Sequence, residues 1–315
     1  MSKLSGGVLH AKYFTIDGSE VWIGSQNFDW RSLEHIQELG VRVVQPEVAR
    51  SVNDVFALDW AFAGGEKLVA TSLAPGGYNF PVQLGSGESA LQLTPVFSPQ
   101  SMLPDAKLWE LPKIVELIDG ARTSVRVQVM SYRTLARDKT YFDTLEAALR
   151  RAAARGVKVE LLCADWSKRA GTIEGLQSLE PLENVEVRLT TIPQWTGGYI
   201  PFARVSHAKY MVIDAQRGWI GTSNWERLLH QQPQLGRDRR GRADRFATRC
   251  VLRFDLEFCL RGARRSGREI CSSEVRRQVN RRASCSTPFL ELQIATTRLA
   301  RANLWPVARA MTRST

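Results

Sequence analysis

His10 to Asn27 reads HAKYFTIDGSEVWIGSQN, and the pattern returns from His207 to Asn224 as HAKYMVIDAQRGWIGTSN. His10 pairs with His207, Lys12 with Lys209, Asp17 with Asp214, Trp22 with Trp219, Gly24 with Gly221 and Asn27 with Asn224, at one offset of 197 and without a gap. One copy of His-x-Lys is a weak signal, because a strand with solvated side chains carries it often by chance. Two ungapped copies do not arise that way, so the chain is read as a duplicated unit. The tryptophans inside it are read as core rather than chemistry.

Around the first copy, Val8 to Ile16 alternates apolar and polar residues up to Asp17-Gly18, which predicts a strand running into a tight turn. Glu20 to Gly24 is a second short strand, and the period of two sends His10 and Lys12 to one face. Leu39 to Val44 is a third. Pro46 opens a helix through about Ala63, with Val48, Val52, Val55 and Phe56 as its buried stripe, and Gly64-Gly65 closes it. From about residue 70 to 98 the composition turns to Gly, Ser and Pro, as in a connection between halves.

Ahead of the second copy the pattern is fuller. Helices are expected at Trp109 to Ile118, Tyr141 to Arg155 and Ile173 to Leu179, and strands at Ser124 to Met130, Val157 to Cys163 and Val185 to Leu189. Such alternation predicts an α/β fold with helices on the faces of a sheet. The expected organisation is residues 1–70 as the C-terminal part of a first repeat, 71–98 as linker, 99–226 as a second repeat and 227–315 as a tail. His207 is preceded by about a hundred residues of its own domain, whereas His10 is preceded by nine. The first repeat is therefore read as truncated, and the sheet carrying His10 is expected to have an uncovered flank.

The net charge of +11 comes from one end of the chain. Residues 227–315 hold 20 arginines, no lysine and seven acids, which leaves residues 1–226 with 23 basic and 25 acidic side chains. An arginine-rich arm for nucleic-acid phosphates is one reading of this tail. Another is translation out of frame. Arg227 to Gly241, written in permitted codons and shifted by one base, reads DYFTNSRNLGVIVEG, the aromatic segment, polar turn and valine-rich strand that the pattern lacks after Glu226. We read the tail as irregular and out of frame.

Cys250, Cys259, Cys271 and Cys285 also lie there, without the close spacing that grips zinc, and Cys163 reads as a buried small apolar residue. No apolar run of about 18 residues predicts a membrane span, and no signal peptide or compartment is indicated.

Two histidines on duplicated loops suit displacement at phosphorus in two steps. One neutral imidazole attacks and forms a phosphohistidine, while the other, protonated, donates to the leaving oxygen and then activates water or an alcohol. Both roles are reachable near neutrality because imidazole has a pKa of about 6.5. Lys12 and Lys209 supply permanent charge which, with Asn27, Asn224 and the Ser25 hydroxyl, suits the non-bridging oxygens. A site of two His and two Lys is a poor cage for a metal, so no metal or cofactor is expected. Glu38 is placed to orient His10. Asp17 and Asp214 complete the candidate set, although at a strand end an acid more often caps a turn or pairs with a lysine. His35 and His230 are expected at the surface.

These residues resemble the duplicated HxKxxxxD motif of the phospholipase D superfamily, each copy followed by a G-S/T-x-N segment. GSQNFDWRSLEHIQELG (24–40), LWELPKIVELIDGARTSVRVQVMSY (108–132) and IPFARVSHAKYMVIDAQRGWIGTSNW (200–225) resemble the branch holding the endolysosomal phospholipase D-like exonucleases, the poxvirus nicking-joining enzyme and their bacterial relatives. The resemblance implies two α/β repeats related by a pseudo-twofold axis, with one active site between them and metal-independent phosphodiester hydrolysis or transfer. It implies His10 as nucleophile, His207 as general acid and Glu38 as partner of His10. Lys12, Lys209, Asn27 and Asn224 would be the phosphate ligands, with Ser25 and Thr222 as the hydroxyl positions beside them. The substrate implied is a phospholipid or single-stranded nucleic acid. Two other readings follow from the residues: an inactive truncated and frameshifted relic, and a nucleic-acid binder working through the arginine tail.

Overall fold

The computed structural model describes residues 10–64, 77–85, 90–98, 100, 103–135, 140–226, 249–255, 289–293 and 308–310. His230, the alternate-frame segment Arg227 to Gly241, and Cys259, Cys271 and Cys285 lie outside the described residues.

The duplicated stretch folds as two hairpins of the same register. β1 (Tyr13–Ile16) pairs antiparallel with β2 (Glu20–Gly24), Tyr13 opposite Ile23, and β9 (Tyr210–Ile213) pairs with β10 (Arg217–Ile220), Tyr210 opposite Ile220. Each turn puts two residues in the left-handed region, Asp17 and Gly18 in one and Asp214 and Ala215 in the other. Gly24 N–H donates to Lys12 O at 3.1 Å, and Gly221 N–H to Lys209 O at 3.0 Å. The repeat in the letters is thus a repeat in the backbone.

The two hairpins lie in different sheets. β1 and β2 continue into β3 (Gly40–Val44), against which α2 (Pro46–Ala63) packs Val48, Val52 and Val55. Phe56, expected in that stripe, is instead 49% exposed and stacks on Trp60. Phe56 follows Val52 by four residues and so shares that side of the helix, but its ring pairs with Trp60 on the next turn instead of with the sheet. In the larger, mixed sheet, β6 (Ser124–Val129), β7 (Lys158–Ala164) and β8 (Val185–Thr190) run parallel, and β9 joins β6 antiparallel. α3 (Glu110–Asp119) and α4 (Thr144–Ala154) cover it with Leu111, Ile114, Leu117, Leu145, Leu149 and Ala152. Cys163 lies fully buried in that core, as expected. The third helix expected, near Ile173, is the short α5 (Ile173–Gln177).

Two regions differ from the expectation. Inside the expected linker, β4 (Val82–Leu84) and β5 (Leu91–Ser98) form the far edge of the larger sheet. Their alternation of apolar and polar residues was outweighed by surrounding Gly, Ser and Pro. The tail, expected to be irregular, supplies β11 (Arg249–Asp255) between β10 and β5, β12 (Phe289–Gln293) beside β3, and β13 (Ala308–Ala310) beside β8. Short period-two runs such as Phe289–Gln293 were hidden by the arginine count.

Gly24 and Gly40 face each other across β2 and β3. A Cβ on Gly40 would lie 2.5 Å from the Trp22 ring, and one on Gly24 would lie 2.7 Å from the Gly40 Cα. Trp22 is 8% exposed and wedged against Phe14 and Phe28, so its ring has little room to yield. Gly40→Ala is expected to lower unfolding stability by about 1–3 kcal/mol, the usual cost of overpacking, and unchanged denaturant midpoints would show that the ring moves freely.

Candidate active site

Lys12 and Lys209 are positioned by the backbone of their own motif. Lys12 Nζ donates to the His10 carbonyl at 2.6 Å, and Lys209 Nζ donates to the His207 carbonyl. Lys12 is 7% exposed and Lys209 fully buried. A buried ammonium is tolerated only with compensating partners, and for Lys209 the nearby carboxylate is Glu38.

That carboxylate comes from the other repeat. After the short helix α1 (Trp30–Glu34), the segment from His35 to Glu38 runs beside the segment from Arg204 to His207, with a parallel bridge between Gln37 and Ser206. Arg204 N–H donates to His35 O at 2.9 Å, Gln37 N–H to Val205 O at 3.1 Å and His207 N–H to Gln37 O at 2.9 Å. This staple sets both Glu38 carboxylate oxygens 2.9 Å from His207 Nδ1. Glu38 is therefore the partner of His207, not of His10 as expected. Reading along the chain ties Glu38 to the motif histidine of its own repeat, whereas the parallel staple turns it across the junction between repeats.

Ser25 also differs from its expected role at the phosphate. It is fully buried, its hydroxyl donates to Glu38 Oε2 at 2.5 Å and accepts from Leu39 N–H at 3.0 Å. It positions Glu38. Ser32 on α1 donates to the other carboxylate oxygen at 3.2 Å. Ser32 was missed because α1 itself was not foreseen. Thr222, the counterpart of Ser25, is equally buried, and Asn27 and Asn224 are half-buried.

Asp17 and Asp214 are not part of this cluster. Asp214 accepts from the backbone N–H groups of Arg122, Thr123 and Ser124, pinning the hairpin to the start of β6. Burial would raise its carboxyl, but those N–H donors prevail and hold it below the usual range. Seven residues of extended chain, roughly 20 Å, separate it from His207. Asp17 is exposed in the equivalent turn. His35, expected at the surface, is 9% exposed between two tryptophan rings.

Burial alone would raise the Glu38 carboxyl, but the His207 hydrogen bond and the charges of the histidine and Lys209, with the Ser25 hydroxyl, hold it below the usual carboxylate range. Burial lowers the His207 imidazole, and Lys209 and Lys12 lower it further against the pull of Glu38. The pair thus sets a carboxylate against an imidazole whose protonated form is disfavoured by burial and by the lysines, with Lys209 supplying standing positive charge. Nδ1–H faces Glu38, which leaves the Nε2 lone pair for chemistry. Lys12 acting on His207 also brings both repeats into one electrostatic site. Among the described residues no group of three or more His, Cys, Asp or Glu side chains is placed to hold a metal ion.

Residues 1–191 match the family model described as PLD3/4, PLD-like domain. The chain is 32% identical to the mouse 5'-3' exonuclease PLD4 over 243 residues, covering 71% of this chain and 48% of that protein. It is 31% identical to phospholipase D Z of Dictyostelium discoideum over 236 residues, covering 71% of this chain and 56% of that protein. The chain thus spans about half the length of the relatives it matches. Among solved structures, phosphatidylserine synthase from Haemophilus influenzae Rd KW20 aligns with a TM-score of 0.49 at 14% identity, over 80% of this chain and 58% of that one.

Proposed function

Because the chain belongs to the phospholipase D superfamily, in its PLD3/4-like branch, we propose that it is a phosphodiesterase that works without a metal, through a phosphohistidine formed where two pseudo-twofold repeats meet. The observation that carries this reading is the Glu38–His207 bond, by which one repeat orients the imidazole of the other. In the first step Nε2 of His10 forms a bond to phosphorus as the bond to the leaving oxygen breaks, and His207 gives that oxygen its proton. In the second, His207 takes a proton from water as the water oxygen attacks phosphorus and the N–P bond breaks. Lys12 and Lys209, with Asn27 and Asn224, hold the non-bridging oxygens.

Burial and the two ammoniums disfavour the acid form of His207 in the empty site, and a phosphodiester anion that offsets those ammoniums favours it. That same resting state favours a second assignment, in which His207 attacks and His10 donates. Acid quenching during turnover, followed by peptide mapping, finds the phosphoryl group on one ring or the other. The names of the exonuclease relatives support nucleic acid as the substrate. Hydrolysis of a bis-p-nitrophenyl phosphate ester is expected to continue in excess EDTA, and loss of activity with the chelator would refute the metal-free mechanism.

An inactive relic is the other reading with an observation behind it. Phe14, Ile16 and Phe28 are 44%, 42% and 64% exposed, whereas their counterparts Met211, Ile213 and Trp225 are at most 1% exposed. A broad, non-cooperative thermal transition would favour the relic, and a sharp one the enzyme.

A further inference from the structure

A second group of exposed aromatic rings lies on loops rather than on an uncovered sheet. Trp30, His35 and Trp195 form a row, with centroids 5.6 and 5.2 Å apart. The outer two rings are 54% and 47% exposed. The Phe14 patch carries no such meaning, because the second repeat shows that it is a core face. The Trp30 row is built differently. His35, its middle ring, opens one segment of the staple, while Trp30 lies on α1 just before it and Trp195 on the loop that leads to Arg204. Ser32, on the same short helix as Trp30, donates to Glu38 at 3.2 Å, which puts the row beside the Glu38–His207 pair.

The loop that carries Trp195 is pinned. Arg204 Nε donates to Pro193 O at 2.7 Å, Arg204 N–H to His35 O at 2.9 Å and Arg31 to Pro201 O at 3.4 Å. Phe202 and Arg204 hold φ of 57° and 56°, a conformation that non-glycine residues adopt at a cost and keep where the surroundings enforce it. Trp195 folds back over Gly197, whose added Cβ would lie 2.3 Å from the ring. Half-exposed rings on a fixed backbone lose little freedom when a flat partner stacks on them. A nucleobase is such a partner, whereas an acyl chain has no planar face to offer.

Resting on the phosphodiesterase reading above, we infer that Trp30 and Trp195 form a stacking platform for a nucleobase next to the scissile phosphate, and so select nucleic acid strands over other diesters. Stacking is indifferent to base identity, so the platform grips any sequence.

The test compares a single-stranded oligothymidylate with the same strand carrying abasic tetrahydrofuran residues at its 5′ end, in the full-length chain. Both kcat/KM and binding by fluorescence anisotropy are measured. The wild type is expected to favour the base-bearing strand by roughly tenfold to a hundredfold. Trp30→Leu and Trp195→Leu each collapse that ratio several-fold. Gly197→Ala, which moves the Trp195 ring while leaving it present, lowers it less. A wild-type ratio near one, or a ratio unchanged in all three variants, overturns the platform. So does loss of sedimentation with phosphatidylserine vesicles in the variants without change in the ratio, which marks the rings as a membrane contact. If neither strand is hydrolysed but the binding ratio behaves as stated, the platform stands and the catalytic reading fails.

Discussion

Replacing His207 by Asn is expected to reduce phosphodiester hydrolysis by at least about a thousandfold, with little loss of stability. The amide of Asn can still donate to Glu38 from near the position of Nδ1, so the buried carboxylate keeps its partner, but nothing takes the place of Nε2. His207→Ala is a poorer test. It would leave Glu38, 1% exposed, facing a void, and breaking a buried pair costs about 3–5 kcal/mol. His10→Asn is expected to lose as much, and the double variant little more, because groups that act as a unit on one reaction do not contribute additively. Initial rates on a bis-p-nitrophenyl ester, with thermal melts as control, make the comparison. Independent, multiplying losses would show that the two histidines do not serve one phosphorus.

Glu38→Gln is expected to cost roughly a hundredfold or more, since neutralising the carboxylate that orients a catalytic imidazole elsewhere costs up to about 10⁴-fold. The pH profile separates this role from a structural one. Glu38 is the group that opposes the fall of the His207 pKa. Without its charge that pKa falls further, so the limb of the kcat/KM profile that reports His207 moves to lower pH. A variant that loses rate with an unmoved profile would assign Glu38 to packing alone.

The hairpins and α2 were legible because their signals are local: a period of two, a turn residue, a proline at the helix start. β5 was not, although its residues alternate, because its neighbours read as linker. Phe56 has the right helical spacing, but spacing alone does not encode that its ring pairs with Trp60 instead of the core. The identities of the histidines and lysines were legible from the repeat, but the geometry between repeats was not. Glu38 and Ser25 belong to the same repeat as His10 but act on His207 in space, through a parallel bridge between Gln37 and Ser206 that no spacing along one chain encodes.

One experiment bears on the joint site most directly: a crystal structure of the chain soaked with tungstate, a tetrahedral mimic of phosphate. A single anion is predicted, with a ring nitrogen from each of His10 and His207 and Nζ of both Lys12 and Lys209 within about 3 Å of its oxygens. An anion held by one His–Lys pair alone, or two anions at separate positions, would contradict the account.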